Sequence, residues 1–184
     1  MPIELWGDED GSRYRDSYFD AFPGVWRQGD WITITSRGTA VVSGRSDATL
    51  NRHGIRIGSA EIYAAVEQLP EIADSLIVGV EMDDGEYVMQ LFVVTVPGAT
   101  LDDRLRQAIT AEIRSRLSPR HLPDVIVDTP AVPRTLTGKK LEVPVKRLLQ
   151  GHAFDAVVAR GAVDDVGALE WYVQYAARRA HAAR

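Results

Sequence analysis

The sequence predicts an α+β fold from three observations about its apolar residues. After residue 47, strand-like and helix-like segments alternate, which is typical of a small sheet with helices packed on it. Two of the helix-like segments repeat apolar residues at spacings of three and four positions. Before residue 47 the apolar residues form short β-rich runs. We therefore expect a short sheet with helices on one face, preceded by a β-rich segment.

The first 46 residues are predicted to contain one short helix and one hairpin. Five aromatic residues lie between Tyr14 and Trp26 among turn signals, and a short helix over 14–22 fits them. The runs at 31–35 and 39–42 alternate like strands on either side of a turn-like Ser-Arg-Gly sequence. This part is too short to form an independent core. We expect it to be the truncated C-terminal edge of a larger domain.

Residues 47–150 are predicted to begin with a hairpin and a helix. The hairpin covers 51–57, with its turn at His53-Gly54. Ser59 is a candidate cap for the helix that follows, and Pro70 ends that helix.

Two strands, a second helix and a last strand complete this predicted domain. The strands are expected at 75–81 and 86–96, joined by a turn at 83–85. Thr100 is a candidate cap of the second helix, and the last strand is expected at 124–128. The buried stripe of the second helix is predicted to contain Leu101, Leu105, Ala108, Ile109, Ile113 and Leu117.

Residues 151–184 are predicted to be an extension that ends in a helix. A short helical segment at 143–149 precedes it, and the terminal helix is expected at about 167–180. The inward-facing residues of that helix are predicted to be Leu169, Tyr172, Val173 and Ala176.

Composition excludes several classes of function. The net charge of −5 argues against general nucleic-acid binding, and the absence of cysteine excludes disulfides and thiolate chemistry. No apolar run approaches the roughly 20 residues of a membrane span, and no signal peptide is visible. A cytoplasmic location is expected by elimination. The four histidines lack the spacing of a metal site, so we expect no metal ligands in this chain.

Three polar segments are candidates for chemistry. Asp30, at the start of a strand, is either a turn residue or a carboxylate able to accept two hydrogen bonds from a vicinal diol such as a ribose. Arg45 offers a planar fork of donors for sugar or phosphate oxygens. Gly54, at a hairpin tip, would let a slender ligand approach the backbone closely. Taken alone, each segment is more often a solvated turn.

The third segment is a loop with a Gly-Lys-Lys sequence at 138–140. Such a loop is usually solvent-exposed charge, and it does not match the phosphate-binding P-loop, which needs Gly-Lys-Ser or Gly-Lys-Thr after a strand.

Taken together and in order, the three segments resemble motifs of the adenylate-forming superfamily of acyl-CoA synthetases, luciferases and peptide-synthetase adenylation domains. Residues 25–30 (VWRQGD) resemble the ribose-binding element of that superfamily. Residues 44–47 (GRSD), with 54–57 (GIRI) and Glu61, resemble its hinge and the element after it. Residues 133–139 (PRTLTGK) resemble its lysine loop.

A narrower resemblance, to acetoacetyl-CoA synthetases, covers more of the chain. It rests on residues 14–19, 44–51, 117–121 and 133–146, and on the tail ALEWY at 168–172. The tail lies beyond the shared superfamily core, so it is the more discriminating part.

The resemblance implies a role for each motif. Asp30 would hold the ribose hydroxyls of ATP and acyl-AMP with help from Arg45, and Asp47 would be the hinge of a mobile domain. Lys139 would be catalytic, neutralising charge between the carboxylate and the α-phosphate. It is favoured over Lys140 because it directly follows a glycine.

The coenzyme A contacts implied by the resemblance are Gly54, Arg56 and, on position alone, Arg114. The implied substrates are ATP with Mg²⁺, coenzyme A and a carboxylic acid such as acetoacetate. The superfamily's phosphate loop, adenine pocket and magnesium-binding glutamate are not found in this sequence. We therefore expect the C-terminal portion of a ligase whose N-terminal adenylation domain is missing, and a chain that is inactive alone. The alternative is a stand-alone, non-catalytic module that binds a partner ligase or coenzyme A.

Overall fold

A computed structural model describes residues 2–46, 48–52, 54–82 and 85–182 of the chain. The chain divides into two compact units, one ending at Ser46 and one beginning at position 47. The predicted turns at His53 and at 83–84, and the predicted hinge Asp47, lie outside the described residues.

The first unit consists of one helix and one hairpin. The helix α1 spans Ser12–Tyr18, and the antiparallel strands β1 and β2 span Asp30–Ile34 and Ala40–Arg45. The helix begins earlier than predicted because two carboxylates before it accept its first free N–H groups. Asp10 accepts that of Ser12 at 2.9 Å, and Asp8 accepts those of residues 13 and 14 at 3.0 and 2.8 Å.

The second unit holds the remaining elements. Its strands are β3 (Leu50–Arg52), β4 (Ile55–Ile57), β5 (Ile72–Glu81), β6 (Tyr87–Thr95) and β7 (Val125–Asp128). Its helices are α2 (Ser59–Val66), α3 (Asp103–Arg116), α4 (Glu142–Leu149), α5 (Phe154–Val157) and α6 (Val166–Ala182). Short 3₁₀ turns lie at Pro119–His121 and Arg160–Ala162.

The central sheet has three strands in the order β5-β6-β7. Strands β5 and β6 form an antiparallel hairpin, whereas β7 runs parallel to β6. A parallel neighbour requires a crossover connection, and α3 provides it. Strands β3 and β4 form a separate two-stranded hairpin just before α2.

Helices cover both faces of this sheet. On one face, Met89, Leu91 and Val93 of β6 pack with buried residues of α2 and α3. On the other face, the intervening Phe92 packs with buried residues of α4 and α6. The observed strands and helices confirm the predicted α+β class. The expectation that helices cover one face only is wrong, because it left the second apolar side of each strand without a partner.

The caps of α2 and α3 both differ by one or two positions from the predictions. The cap of α2 is Gly58, and Ser59 is already helical. The cap of α3 is Asp102, not Thr100, and its carboxylate accepts the Leu105 N–H at 2.8 Å. Within the predicted stripe of α3, Leu105, Ile109 and Ile113 are buried, as are Leu101 before the helix and, in part, Leu117 after it.

The terminal helix α6 fills the second core with aromatic side chains. Tyr172 is fully buried with its ring 4.9 Å from that of Phe92, and Trp171 and Tyr175 also lie within 6.2 Å of it. Leu169 is buried as predicted, whereas Val173 is 39% exposed and does not face inward. No helix in the described residues combines the length and apolar character needed to cross a membrane.

Candidate functional site

The lysine loop is a tight hairpin that presents Lys139 to solvent. Thr135 donates its N–H to the Lys139 carbonyl at 2.8 Å, and Gly138 donates to the Thr135 carbonyl at 2.8 Å. Gly138 has a φ of +82°, a left-handed conformation that costs glycine little. Arg134 and Lys140 pair across the base of the hairpin. The Lys139 side chain is exposed, and no ion pair to it occurs among the described residues.

Lys140 has a different environment from its neighbour. Its ammonium lies 2.7 Å from the Glu67 carboxylate, 2.9 Å from Asp74 and 2.6 Å from the Ser75 carbonyl oxygen. It also lies 4.0 Å from the ring centroid of Tyr63. An ammonium has three N–H donors, and three acceptors surround this one. Lys140 therefore anchors the loop and is not free to bind a substrate.

Asp74 is the common acceptor beneath this hairpin. One carboxylate oxygen accepts from Lys140 and the other from Arg134, at 2.6 Å, while Arg134 also donates to the Gly138 carbonyl at 2.8 Å. Burial alone would raise the pKa of Asp74, but the hydrogen bonds from Lys140 and Arg134 outweigh it and hold the pKa below its ordinary value of 3.8.

The second candidate region is the hairpin formed by β3 and β4. Gly54 has a φ of +78°, and apart from its two chain neighbours no atom of the described residues lies within 4 Å of the position that a Cβ would take. Arg56 is exposed, and it lies opposite Asn51 in the ladder. The hairpin therefore has an open tip with an arginine close to it.

The base of that hairpin is fixed to the sheet. Asn51 donates its N–H to the Tyr87 hydroxyl at 2.9 Å, and Arg52 forms an ion pair with Asp124. The second oxygen of Asp124 accepts the N–H of Met89 at 2.7 Å. Burial raises the pKa of the Tyr87 hydroxyl.

The lysine loop and the Gly54 hairpin are attached to different ends of the sheet. The lysine loop is anchored at Asp74, near the start of β5. The hairpin is anchored near Met89, which lies opposite Gly79 of β5. These two positions on β5 are five residues apart, or about 16 Å at 3.3 Å per residue. The structure does not bring Lys139 and Gly54 into one site.

In the first unit, the two candidate ribose-binding positions are neighbours. Asp30 and Arg45 lie opposite each other in the β1–β2 ladder, and the Ser46 N–H is bound by the Gly29 carbonyl at 2.7 Å. A bulge follows Trp31. The predicted hinge, Asp47, comes directly after this pair and lies outside the described residues.

Arg114 lies in the last turn of α3 and is exposed. Together with Arg106, Gln107, Thr110 and Ala111, it lines a shallow depression on the surface of that helix. Its coenzyme A contact stays a prediction. The described residues include no group of three or more histidine, aspartate or glutamate side chains arranged to hold a metal ion.

Sequence reasoning missed the anchors of the lysine loop. Asp74, Glu67 and Tyr63 lie between 60 and 79 positions before the residues that they contact, which are Arg134, Lys140 and Glu142. The only signal was a charged residue at the start of an apolar strand-like run, where an unpaired carboxylate would be costly.

Comparison with known proteins identifies the family. Residues 61–139 match the model of the AMP-binding enzyme C-terminal domain. Over 173 residues, covering 94% of this chain, the sequence is 44% identical to acetoacetyl-CoA synthetase of Mus musculus. It is 45% identical over 151 residues, or 82% of the chain, to acetoacetyl-coenzyme A synthetase of Rhizobium meliloti.

A solved structure extends the match to the fold. Acetoacetyl-CoA synthetase from Streptomyces lividans is 57% identical, with a TM-score of 0.88 over 97% of this chain and 27% of that one. The chain spans about a quarter of the length of the curated relatives it matches, 25% for the mouse protein and 23% for the Rhizobium protein. By these matches, the chain belongs to the AMP-binding, adenylate-forming enzymes, and it contains their C-terminal domain.

Proposed function

We propose that this chain is the C-terminal portion of an ATP-dependent acid–thiol ligase that converts acetoacetate to acetoacetyl-CoA. In the first step, the acid carboxylate attacks the α-phosphorus of ATP, giving acyl-AMP and pyrophosphate. In the second step, the thiol of coenzyme A attacks the acyl carbonyl and AMP leaves. The acyl preference is inferred from the names of the relatives, which are acetoacetyl-CoA synthetases at 41–45% identity.

The exposed Lys139 on a rigid hairpin is the observation that carries the proposal. A cation aimed at the charge that develops between carboxylate and α-phosphate lowers the barrier only if it is held in place beforehand. The hairpin meets this need, since its turn is closed by two backbone hydrogen bonds and Arg134 donates to its glycine carbonyl. All three N–H groups of the Lys140 ammonium have acceptors within the chain, which favours Lys139 as the catalytic residue.

The Gly54 hairpin is proposed to serve the second step. Its tip has open space where a side chain would stand, so the pantetheine arm of coenzyme A can pass close to the backbone. Arg56, and more weakly Arg114, would contribute positive charge towards the phosphates of coenzyme A. The anchors of this hairpin and of the lysine loop are about 16 Å apart along β5, which suits two half-reactions served in turn by one rigid body.

We assign residues 1–46 to the edge of a large adenylation domain, residues 47–150 to a mobile C-terminal domain and residues 151–184 to an extension. Several apolar side chains of the first unit are largely exposed, among them Trp6 at 99% and Ile3 at 90%. Large exposed apolar groups mark a surface that another part of a protein covers. Asp30 and Arg45 would reach the ribose from this unit, and Asp47 would be the hinge.

The remaining contacts are assigned to the adenylation domain that would precede residue 1. That domain would hold the ATP phosphates, Mg²⁺ and the acyl group, for which we identify no residues in this chain. A cytoplasmic location stays a prediction.

The test is a chimera in which this chain replaces the matching C-terminal part of the Streptomyces lividans protein. We expect acetoacetate-dependent AMP release by the chimera and none by the chain alone. Changing Lys139→Ala should slow acyl-AMP formation about 10²- to 10³-fold, the typical effect of removing one preorganised group, and leave thioester formation from supplied acyl-AMP intact.

The matched control is Lys146→Ala, which removes a lysine from the last turn of α4 and should change neither step. Equal loss of both steps in the Lys139 variant would refute the role given to this residue. A chimera that folds and binds coenzyme A but releases no AMP would favour a non-catalytic binding module.

A further inference from the structure

We propose that Asp74 is a positioning residue for Lys139, acting through the two residues that flank the lysine turn. The link from Asp74 to catalysis rests on the proposed function, because the catalytic role of Lys139 belongs to that proposal. The contacts themselves are a property of the folded chain.

Asp74 contacts both sides of the lysine turn. Arg134 precedes the turn and Lys140 follows it, and the two pair across its base. One oxygen of Asp74 accepts from Arg134 at 2.6 Å, and the other lies 2.9 Å from the Lys140 ammonium. A single carboxylate therefore holds both strands of the hairpin, and Lys139 is carried between them.

The backbone just before Asp74 is irregular. The register of β5 against β6 shifts between Ile72 and Asp74, which leaves Ala73 as the extra residue of a bulge. Bulges redirect the side chain that follows them and occur often next to active sites. The Asp74 side chain is only 22% exposed, and its own oxygen also accepts the Ser75 N–H at 2.8 Å. The carboxylate is thus held in position by its own strand, in addition to its contacts with the loop.

The charged groups around Asp74 are paired with one another. Two carboxylates, Asp74 and Glu67, face two cations, Arg134 and Lys140, in a half-buried cluster. Charge-assisted hydrogen bonds in such a setting are stronger than neutral ones. Because both cations are paired within the cluster, the charge of Lys139 remains available to a substrate.

The experiment is site-resolved amide hydrogen exchange on the whole 184-residue chain, comparing the native sequence with Asp74→Asn. The amides of Thr135 and Gly138 report opening of the turn, since both are hydrogen-bonded inside it. An asparagine amide nitrogen cannot accept from a cation, so at least one of the two contacts is lost. We expect exchange at these two amides to become about tenfold faster, with a lower ¹⁵N order parameter at Lys139.

The matched control is Asp124→Asn. Asp124 also pairs with an arginine and accepts a backbone N–H, but at the other attachment point of the sheet. It should leave exchange at Thr135 and Gly138 within twofold. A purely global loss of stability would speed amide exchange equally in both variants, and that result would overturn the inference. Unchanged exchange in Asp74→Asn would overturn it as well.

A second variant covers the case in which Asp74→Asn does not fold. Arg134→Gln removes the contact with Asp74 and the hydrogen bond to the Gly138 carbonyl, but leaves Lys140 on Asp74, and the same tenfold criterion applies to it. If both variants fold, the effect of the double variant on exchange should be smaller than the sum of the two single effects, because both substitutions act on the same Arg134–Asp74 contact. Additive effects would argue against a shared anchor. None of these measurements needs ATP or an acid. A negative result in them would therefore not contradict the proposed function, and an inactive chimera would not contradict the role proposed for Asp74.

Discussion

Gly79 offers a sharp test of how the Gly54 hairpin is held. A Cβ built on Gly79 would lie 1.7 Å from the Tyr87 hydroxyl oxygen and 2.2 Å from the ring carbon that bears it. Changing Gly79→Ala must therefore displace the tyrosine. The same hydroxyl accepts the N–H of Asn51, so the displacement also breaks one of the contacts that fix the base of the hairpin.

The expected loss of stability follows from the contacts that the tyrosine side chain loses. Losing one hydrogen bond costs about 1 kcal/mol. Moving a partly buried ring out of contact costs about another 1 kcal/mol, roughly half of the range for a fully buried apolar side chain. We expect the free energy of unfolding in urea to fall by about 2 kcal/mol, and exchange at the Asn51 amide to rise.

The control is the same substitution in a Tyr87→Ala background, where no ring stands in the way. There the added methyl group should change the unfolding free energy by less than about 0.5 kcal/mol. A full 2 kcal/mol loss in that background would mean that the glycine is needed for another reason, and the reasoning from the clash would be wrong.

Three further predictions concern stability. Replacing Asp102 by alanine removes the cap that binds the Leu105 N–H, so the unfolding free energy should fall by about 1 kcal/mol, measurable by urea titration. Because the pKa of Asp74 is lowered in the folded chain, its ion pairs stabilise the fold above its ordinary pKa of 3.8 and are lost as the pH falls below it. The difference in unfolding free energy between the native chain and Asp74→Asn should thus be constant from about pH 5 to 7 and shrink below about pH 4; no change with pH would contradict this assignment. Gln90 is fully buried, and within the described part of the chain its Nε2 has no hydrogen-bond partner while its Oε1 accepts from Tyr175, so Gln90→Met should be neutral or raise the melting temperature.

The order and type of the elements could be read from the sequence because their periodicities are local. The lysine loop could also be located, since Gly138 marks a turn that needs a positive φ. The second layer of helices was missed, although the run from Leu76 to Val80 is apolar at every position except a glycine, which is typical of a strand buried on both faces.

Other features depend on distant residues and leave little local trace. Thr100 and Asp102 are both good helix caps, and only the path of the backbone decides between them. Whether Lys139 or Lys140 is free could not be told from two adjacent lysines. It is decided by Glu67 and Asp74, more than 60 positions away.

The place of α6 in the second core changes what the last 34 residues mean for the molecule. Tyr172 is fully buried against Phe92, and Leu169 is also fully buried. Removing the tail would therefore expose the face of the central sheet that contains Phe92 to water and favour self-association. A relative without this helix would need another element in its place. The tail and the sheet are thus expected to change together in evolution, as one inherited unit.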